Sequence, residues 1–213
     1  MTTSPARGMN PPESATDIAL ITQVVLAERQ GRDRGWWDQM RDAYWPDSTV
    51  RLSWYNGDGA GFVAGSQAMA GRGSVALHHA YAPVVHVRGA RAHAELSLAM
   101  RIRVEVDGVE ADLVSYTRLN YRIERREGHW RITSLAAVYE YTTLDPAVPG
   151  RVIEVPAGDL IPFRASYALM AWVNARGGRA ISSDELGEDR PEELAAFYAE
   201  TWTWLNAALH GPW

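Results

Sequence analysis

Six histidines, 26 acidic residues and nine tyrosines are the groups in this 213-residue chain that could transfer protons. The chain contains no cysteine and, read from end to end, no lysine. A thiolate nucleophile, a cysteine metal site and a lysine Schiff base are therefore excluded. The remaining chemistry is general acid–base catalysis by imidazole, carboxylate and phenol groups.

The adjacent pair His78 and His79 is the first candidate for such a base. Neighbouring residues in an extended segment point to opposite faces, so only one of the two is expected to enter a pocket, and alternation alone leaves open which one. His86, His93 and His129 are weaker candidates, because His93 falls on the polar face of a predicted strand and His129 in a turn. No HxH or HExxH spacing is present, which predicts a site without a metal ion.

Aromatic residues supply a second signal, since nine tryptophans and nine tyrosines exceed what a core of this size requires. Any single one of them is best explained by packing, but together they favour a pocket for a flat, ring-bearing ligand. Tyr121 is the preferred tyrosine acid because it shares an inward strand face with Ser115 and Thr117. Other candidate contacts to this ligand are Trp37, Trp54, His79, Tyr81 and, more weakly, Glu140.

Composition and charge narrow the class of protein. Apolar residues make up 46% of the chain, which is enough for a sizeable core, and the formal charge is −5. No basic patch suggests nucleic acid, no apolar run approaches a membrane span, and no basic and apolar leader is present at the N-terminus. A cytoplasmic protein is the expectation.

The order of predicted elements is that of an α+β domain. Residues 1–14 are predicted to be a flexible N-terminal arm. Apolar spacing predicts a helix from about Ser14, a short helix over Trp36–Tyr44 and a third over 65–80, with a strand around Val50 to Trp54 between the second and the third. Long antiparallel strands are then expected at about 92–104, 113–124 and 130–141, separated by Asp107-Gly108 and Glu127-Gly128 turns. No internal repeat is visible.

A Pro/Gly-rich connector separates this predicted domain, residues 15–145, from a C-terminal extension, residues 146–213. Two helices are expected in the extension, over Arg164–Arg176 and from Pro191 to about Leu209. We interpret the extension as a lid or brace on the domain, or as a contact to a partner subunit. The outward-facing arginines of the middle strands are expected to form cross-strand ion pairs or a dimer contact, as part of a homodimer or homotrimer: Arg101, Arg103, Arg118 and Arg122.

Three segments together resemble the nuclear transport factor 2-like superfamily, in particular its SnoaL-like and scytalone dehydratase-like branch. They are Arg34-Gly35-Trp36-Trp37-Asp38 followed by Tyr44-Trp45-Pro46-Asp47, then Leu77-His78-His79 before Pro83, and Glu127-Gly128-His129-Trp130-Arg131-Ile132. The resemblance covers about residues 15–145. It implies a cone-shaped fold, in which helices close over a curved sheet and leave a deep pocket.

The resemblance also implies roles for particular residues. In the dehydratase-like branch an Asp near the end of the first helix region pairs with a pocket His, and Asp33 and His78 stand at these positions. The alternative for Asp33 is a helix-end or solvent-facing charge. A substrate-orienting Tyr of the family is Trp54 here, and a second catalytic His has no counterpart. Ser115 and Thr117 correspond loosely to a polar pair on the following strand.

These observations favour a cofactor-independent lyase acting on a small aromatic or polyketide-like substrate. His78, oriented by Asp33, is expected to remove a proton, while Tyr121 or water assists loss of a hydroxyl group or of a small fragment such as formaldehyde. The branch includes enzymes that release formaldehyde from lignin-derived diaryl propanoids. Two alternatives remain open: an isomerase or cyclase of the ketosteroid isomerase or SnoaL type, and a non-catalytic module that binds an aromatic ligand.

Overall fold

The computed structural model of the chain describes residues 15–71, 76–179 and 181–207. Three helices and the first strands come first: α1 (Ala15–Arg34), α2 (Trp37–Asp42), β1 (Tyr44–Leu52), β2 (Tyr55–Asp58) and α3 (Gly59–Gly71). The remaining strands of the main sheet are β3 (Ala76–Ala80), β4 (Val84–Arg88), β5 (Arg91–Val106), β6 (Val109–Arg126) and β7 (His129–Pro146). This order confirms the predicted α+β class.

The C-terminal part adds helices and one short strand. It contains α4 (Ala157–Leu160), a 3₁₀ turn (Ala165–Tyr167), α5 (Ala168–Arg176), β8 (Leu186–Gly187) and α6 (Pro191–Ala207). α5 contacts β6 and β7, whereas α6 contacts β4, β5 and β8. The predicted arm 1–14 and the predicted helix end at Leu209 lie outside the described residues.

The strands form a single curved, unclosed sheet in the order β2-β1-β7-β6-β5-β3. β4 also pairs with β5, and β8 with β7. β1 and β8 run parallel to β7, and the other pairs are antiparallel. The long β5–β6 and β6–β7 hairpins turn at Asp107-Gly108 and Glu127-Gly128, where all four residues have positive φ, as two-residue hairpin turns of type I′ require.

Alternation along the middle strands places apolar side chains on the concave face of the sheet. Leu96, Leu98, Leu113 and Leu119 on this face are at most 4% exposed. On α1, Ile21 and Val25 are fully buried and face the same core. Because the helices cover only part of the long strands, the concave face retains a cavity rather than a filled core.

The predicted helix over 65–80 is wrong at its C-terminal end. α3 ends at Gly71, and Leu77, His78 and His79 belong to β3, which pairs along β5 with His78 opposite Met100. Helical spacing in the preceding alanine-rich segment could not anticipate this, because an edge strand gains its stability from pairing with a distant neighbour. β1 likewise begins at Tyr44, earlier than predicted, and α2 is correspondingly shorter.

Candidate active site

A cavity of about 660 Å³ lies between α1, the concave face of the sheet and α5. Its wall is mostly apolar, with leucine, methionine, valine and isoleucine side chains from β5, β6 and α5. The charged and hydrogen-bonding side chains in its lining are Arg29, Arg32, Ser53, His78, Ser115, Thr117, Tyr139, Asn174 and Arg179. An apolar cavity with few polar groups is the usual form of a small-molecule site.

His78 and Asp33 meet at one end of this cavity. Asp33 is in the last turn of α1, and its Oδ1 lies 2.5 Å from Nδ1 of His78 on β3. The second carboxylate oxygen accepts a hydrogen bond of 2.8 Å from the backbone N–H of the same residue. Asp33 therefore fixes both the ring and the strand that carries it. Nδ1 is the protonated ring nitrogen in this arrangement, and Nε2 is left to act on a molecule in the cavity.

Burial and this contact determine the charge of the pair. Burial lowers the pKa of His78, and it does so more strongly than the bond to Asp33 raises it; Arg29 adds to the lowering. Burial opposes ionisation of Asp33, but the hydrogen bonds with His78 outweigh it and lower the pKa of that carboxyl group. At neutral pH the imidazole is therefore neutral and the carboxylate charged, which is the state needed for a general base.

Sheet register aligns polar groups with this histidine. His78 pairs with Met100, and Met100 pairs with Ser115 on the next strand, so these three side chains project from the same face. Ser115 and Thr117 are buried, and their hydroxyl oxygens lie 3.2 Å apart. One hydroxyl donates to the other, which leaves one O–H free to donate to a ligand.

Ser53 and Tyr139 form a second polar group in the cavity wall. The Tyr139 hydroxyl donates to Oγ of Ser53 at 2.8 Å and accepts from the Ser53 N–H at 3.0 Å. Burial raises the pKa of Tyr139 to about 12, so the phenol stays protonated at neutral pH. Nothing in the sequence distinguished this tyrosine from the others on the strand.

A buried ion pair on α1 was missed from the sequence. Glu28 and Arg29 are 0% and 4% exposed, and the carboxylate accepts two hydrogen bonds from the guanidinium. The hydroxyls of Tyr44 and Tyr121 also donate to Glu28, at 2.9 and 3.3 Å. Helical spacing offered a signal for it, because Arg29 and Arg32 continue the apolar stripe of Ile21 and Val25. Charged residues on the buried face of a helix indicate a candidate functional site.

Tyr121 lies on the inward strand face, as expected, but it does not line the cavity. It is fully buried, and its hydroxyl is directed to Glu28. At this level of β6 the concave face meets α1 rather than open space. Its position supports a structural contact to Glu28 and gives no support to an acid role.

The other predicted contacts lie in three different places. Trp54 lines the cavity, as do Ser115 and Thr117. His79, Tyr81 and Glu140 are absent from its lining: His79 and Tyr81 are exposed, and Glu140 accepts a hydrogen bond from Arg118. Trp37 lies against a separate small pocket of about 230 Å³. Period-two alternation explains why His79 points away from the cavity that His78 enters.

Part of the sheet face opposite the cavity is covered by α6. His93, expected on a polar strand face, is 1% exposed there, with Nε2 donating to Oδ1 of Asn120 at 2.9 Å and its ring 4.8 Å from that of Trp202. The sequence placed this residue on the correct face but did not show that a helix packs on it. Arg101 and Arg103 pair with Asp112, Arg118 with Glu95 and Glu140, and Arg122 with Glu200 of α6.

Neither a metal-binding cluster nor a membrane-spanning helix occurs in the described residues. Within residues 15–71, 76–179 and 181–207, no three histidine or acidic side chains lie close enough together to hold a metal ion. In the same part of the chain, no helix is both long and apolar enough to cross a membrane.

Known proteins resemble this chain in sequence and in fold. A PEP2-like protein of Fusarium vanettenii is 26% identical over 185 residues, which are 82% of this chain and 79% of the relative. The LinA-type3 hexachlorocyclohexane dehydrochlorinase of Novosphingobium barchaimii LL02 superposes with a TM-score of 0.55 at 14% identity, over 66% of this chain and 96% of its own. A protein of unknown function from Mycobacterium tuberculosis gives a TM-score of 0.51 at 14% identity, over 83% of this chain and 98% of its own.

The two solved structures establish a shared fold, and the family is shown by the sequence itself. The SnoaL-like domain matches residues 13–136, more than half of the chain. This range contains α1 with Asp33, the strand of His78 and the polar pair on β6. The resemblance expected from the three sequence segments is confirmed, and the chain belongs to the SnoaL-like domain family.

Proposed function

We propose that this protein is a cofactor-independent lyase that acts by general acid–base chemistry on a small aromatic or polyketide-like substrate. The observation that carries the proposal is His78, which lines an apolar cavity of about 660 Å³ and has its Nδ1 held by Asp33. A neutral imidazole with its second nitrogen available can remove a proton from a bound substrate. The dehydrochlorinase named above is consistent with elimination on this fold, although a fold by itself does not fix a reaction.

For a dehydration, Nε2 of His78 takes a proton from carbon, and the carbon–oxygen bond to the leaving hydroxyl breaks. The imidazolium returns the proton to that hydroxyl, so that water is the net loss. Asp33 stabilises the imidazolium while it exists. The free O–H of the Ser115 and Thr117 pair orients a substrate oxygen, and Trp54 supplies a flat surface for the ring.

Loss of formaldehyde from a lignin-derived diaryl propanoid is the more specific form of this proposal. His78 then takes the proton of a hydroxymethyl group, the carbon–carbon bond breaks to release formaldehyde, and the imidazolium returns the proton to carbon. The aromatic wall formed by Trp54 and Tyr139 supports a ring-bearing substrate of this kind.

The experiment is a turnover screen by mass spectrometry on a panel of hydroxylated aryl ketones, polyketide-like phenols and diaryl propanoids, each incubated with the full chain. A lyase product loses the mass of water or of formaldehyde, whereas an isomerase product keeps the substrate mass. His78→Asn is expected to abolish turnover. The matched control His79→Asn changes the adjacent residue on the outer face of the same strand and is expected to retain it. Equal activity of the two variants contradicts the proposal, as does product of unchanged mass.

A further inference from the structure

The charged side chains that line the cavity are arginines, and the nearby carboxylates Glu28 and Asp33 are already paired with Arg29 and His78. Arg29, Arg32 and Arg179 contribute to its lining together with His78, and none of the described lining residues is an aspartate or glutamate. The whole chain carries a formal charge of −5, so this excess of positive groups is local to the cavity. A cleft lined by one sign of charge concentrates ligands of the opposite sign.

Arg29 is not available to such a ligand, because its guanidinium is paired with Glu28. Arg32 differs from it although both line the same cavity. In the described part of the chain, no hydrogen-bond acceptor and no carboxylate oxygen within 4 Å serves its guanidinium. The nearest acidic groups are already engaged, since Glu28 binds Arg29 and Asp33 binds His78.

Aromatic rings hold the Arg32 guanidinium in place. Its Cζ lies 5.3 Å from the ring centroid of Trp54 and 5.6 Å from that of Phe62. Cation–π contacts of this kind orient a guanidinium but leave its N–H donors unsatisfied. Burial, together with neighbouring Arg29, lowers the pKa of Arg32 to about 10, so the group remains charged at neutral pH.

A charged guanidinium in an apolar wall is stabilised when an anion supplies acceptor atoms. The planar fork of arginine matches a carboxylate, which can accept two parallel hydrogen bonds. Trp54 is both the ring beneath Arg32 and part of the cavity wall, so an aromatic ring bound against it brings a ring substituent towards the guanidinium. Arg179 is exposed and has no ion pair with another described residue, which leaves it free to attract an anion towards the cavity.

We propose that the ligand of this cavity is an aromatic carboxylate whose carboxyl group binds the Arg32 guanidinium and whose ring packs on Trp54. This inference rests on the proposed function, since it names the substrate class of the same site. Arg32 and His78 both line the cavity, and Arg32 is near enough for its charge to contribute to lowering the pKa of His78, so the carboxylate is anchored at the end of the cavity where His78 acts. Arg32 is thus a specificity-determining residue rather than a proton-transfer group.

The test is isothermal titration calorimetry, which measures the affinity of the full chain for 2-naphthoate and cinnamate and for their neutral amides, 2-naphthamide and cinnamamide. The wild type is expected to bind each carboxylate more tightly than its amide. Arg32→Gln is expected to weaken carboxylate binding by about tenfold or more, the effect of losing charge-assisted hydrogen bonds, and to leave amide binding unchanged. Arg32→Lys keeps the positive charge but loses the planar guanidinium that can donate two parallel hydrogen bonds. It is expected to retain part of the preference for carboxylates over amides.

The matched control is Arg101→Gln, on the face of β5 opposite the cavity, where Asp112 keeps Arg103 as a partner. It is expected to bind all four compounds as the wild type does. No preference for the carboxylates in the wild type, including no binding, overturns the inference, and so does an equal loss for acids and amides in Arg32→Gln. The binding test needs no turnover, so a negative result there overturns only the carboxylate inference. Retained activity in His78→Asn overturns the lyase proposal instead.

Discussion

The Asp33 carboxylate binds His78 at two points, the ring Nδ1 at 2.5 Å and the backbone N–H at 2.8 Å. One residue at the end of α1 thereby fixes the tautomer of the imidazole and the position of β3 against the helix. Two such contacts between residues 45 positions apart make the first helix and an edge strand a single unit around the cavity.

Asp33→Asn is expected to shift the titration of His78 to lower pH. The pKa of His78 is already below its ordinary 6.5 because burial outweighs the bond to Asp33, and removing the negative charge removes the contribution that raises it. Since a base must be neutral, activity falls as the pH drops through this pKa, so the acid limb of kcat/KM moves to lower pH in the variant. Its plateau is expected to fall by about 10²-fold or more.

Histidine NMR titration tests this shift without a substrate. The wild type, titrated under the same conditions, is the reference. An unchanged His78 titration, or one shifted to higher pH, contradicts the assigned role of Asp33.

Glu28→Gln is expected to destabilise the fold by about 3–5 kcal/mol, because it leaves the buried Arg29 charge without its counter-ion. The double variant Glu28→Gln/Arg29→Met removes both charges and is expected to be more stable than the single one. Urea unfolding at neutral pH measures both. Asp38→Asn is the control, since its ion pair with Arg41 is exposed and is expected to contribute at most about 1 kcal/mol. A loss of similar size in Asp38→Asn and Glu28→Gln contradicts this account.

Tyr121→Phe is expected to affect stability rather than turnover. The phenol donates to a buried carboxylate at 3.3 Å, so its removal is expected to cost about 1–3 kcal/mol. Turnover should stay within about threefold of the wild type, because the hydroxyl lies outside the cavity and acid–base groups contribute about 10²-fold or more. The two measurements are the free energy of unfolding and kcat. Lost turnover at unchanged stability restores the acid role considered from the sequence.

His93 predicts a decline in stability towards acid pH. Burial between the sheet and α6 lowers its pKa to about 4, whereas its ordinary value is 6.5. The unfolded chain therefore binds the proton first, and stability is lost as the pH falls from about 6.5 to about 4, by about 3 kcal/mol from this residue. His86, Glu95 and Arg122 face the same ring and modulate the pKa.

The measurement for His93 is urea unfolding at pH 7 and pH 4 for the wild type and for His93→Gln, which does not titrate. The difference between the two pH values is expected to be smaller in the variant. The same pH dependence in both proteins shows that other groups cause it.

The sequence was sufficient for the fold class and for the pair at the site. Alternating residues over 92–104 and 113–124, with Asp-Gly and Glu-Gly turns, predicted β5 and β6, because period two and positive φ are local properties of the chain. Resemblance in three short segments indicated the family and paired Asp33 with His78. The strands follow from local patterns that a sequence displays directly, whereas the pairing of Asp33 with His78 was implied by the resemblance.

Tertiary structure alone decided which polar side chains share the cavity. Tyr121 and Tyr139 are both tyrosines on inward strand faces, yet α1 closes over the first with Glu28 while the second borders open space. Arg29 and Arg32 are one helical turn apart, and only the packing shows that the first has a counter-ion and the second has aromatic rings instead. The contacts of Arg32 and Tyr121 join residues distant in the chain, and whether the neighbouring pair Glu28 and Arg29 is buried depends on what packs over α1, so local periodicity carries no information about them.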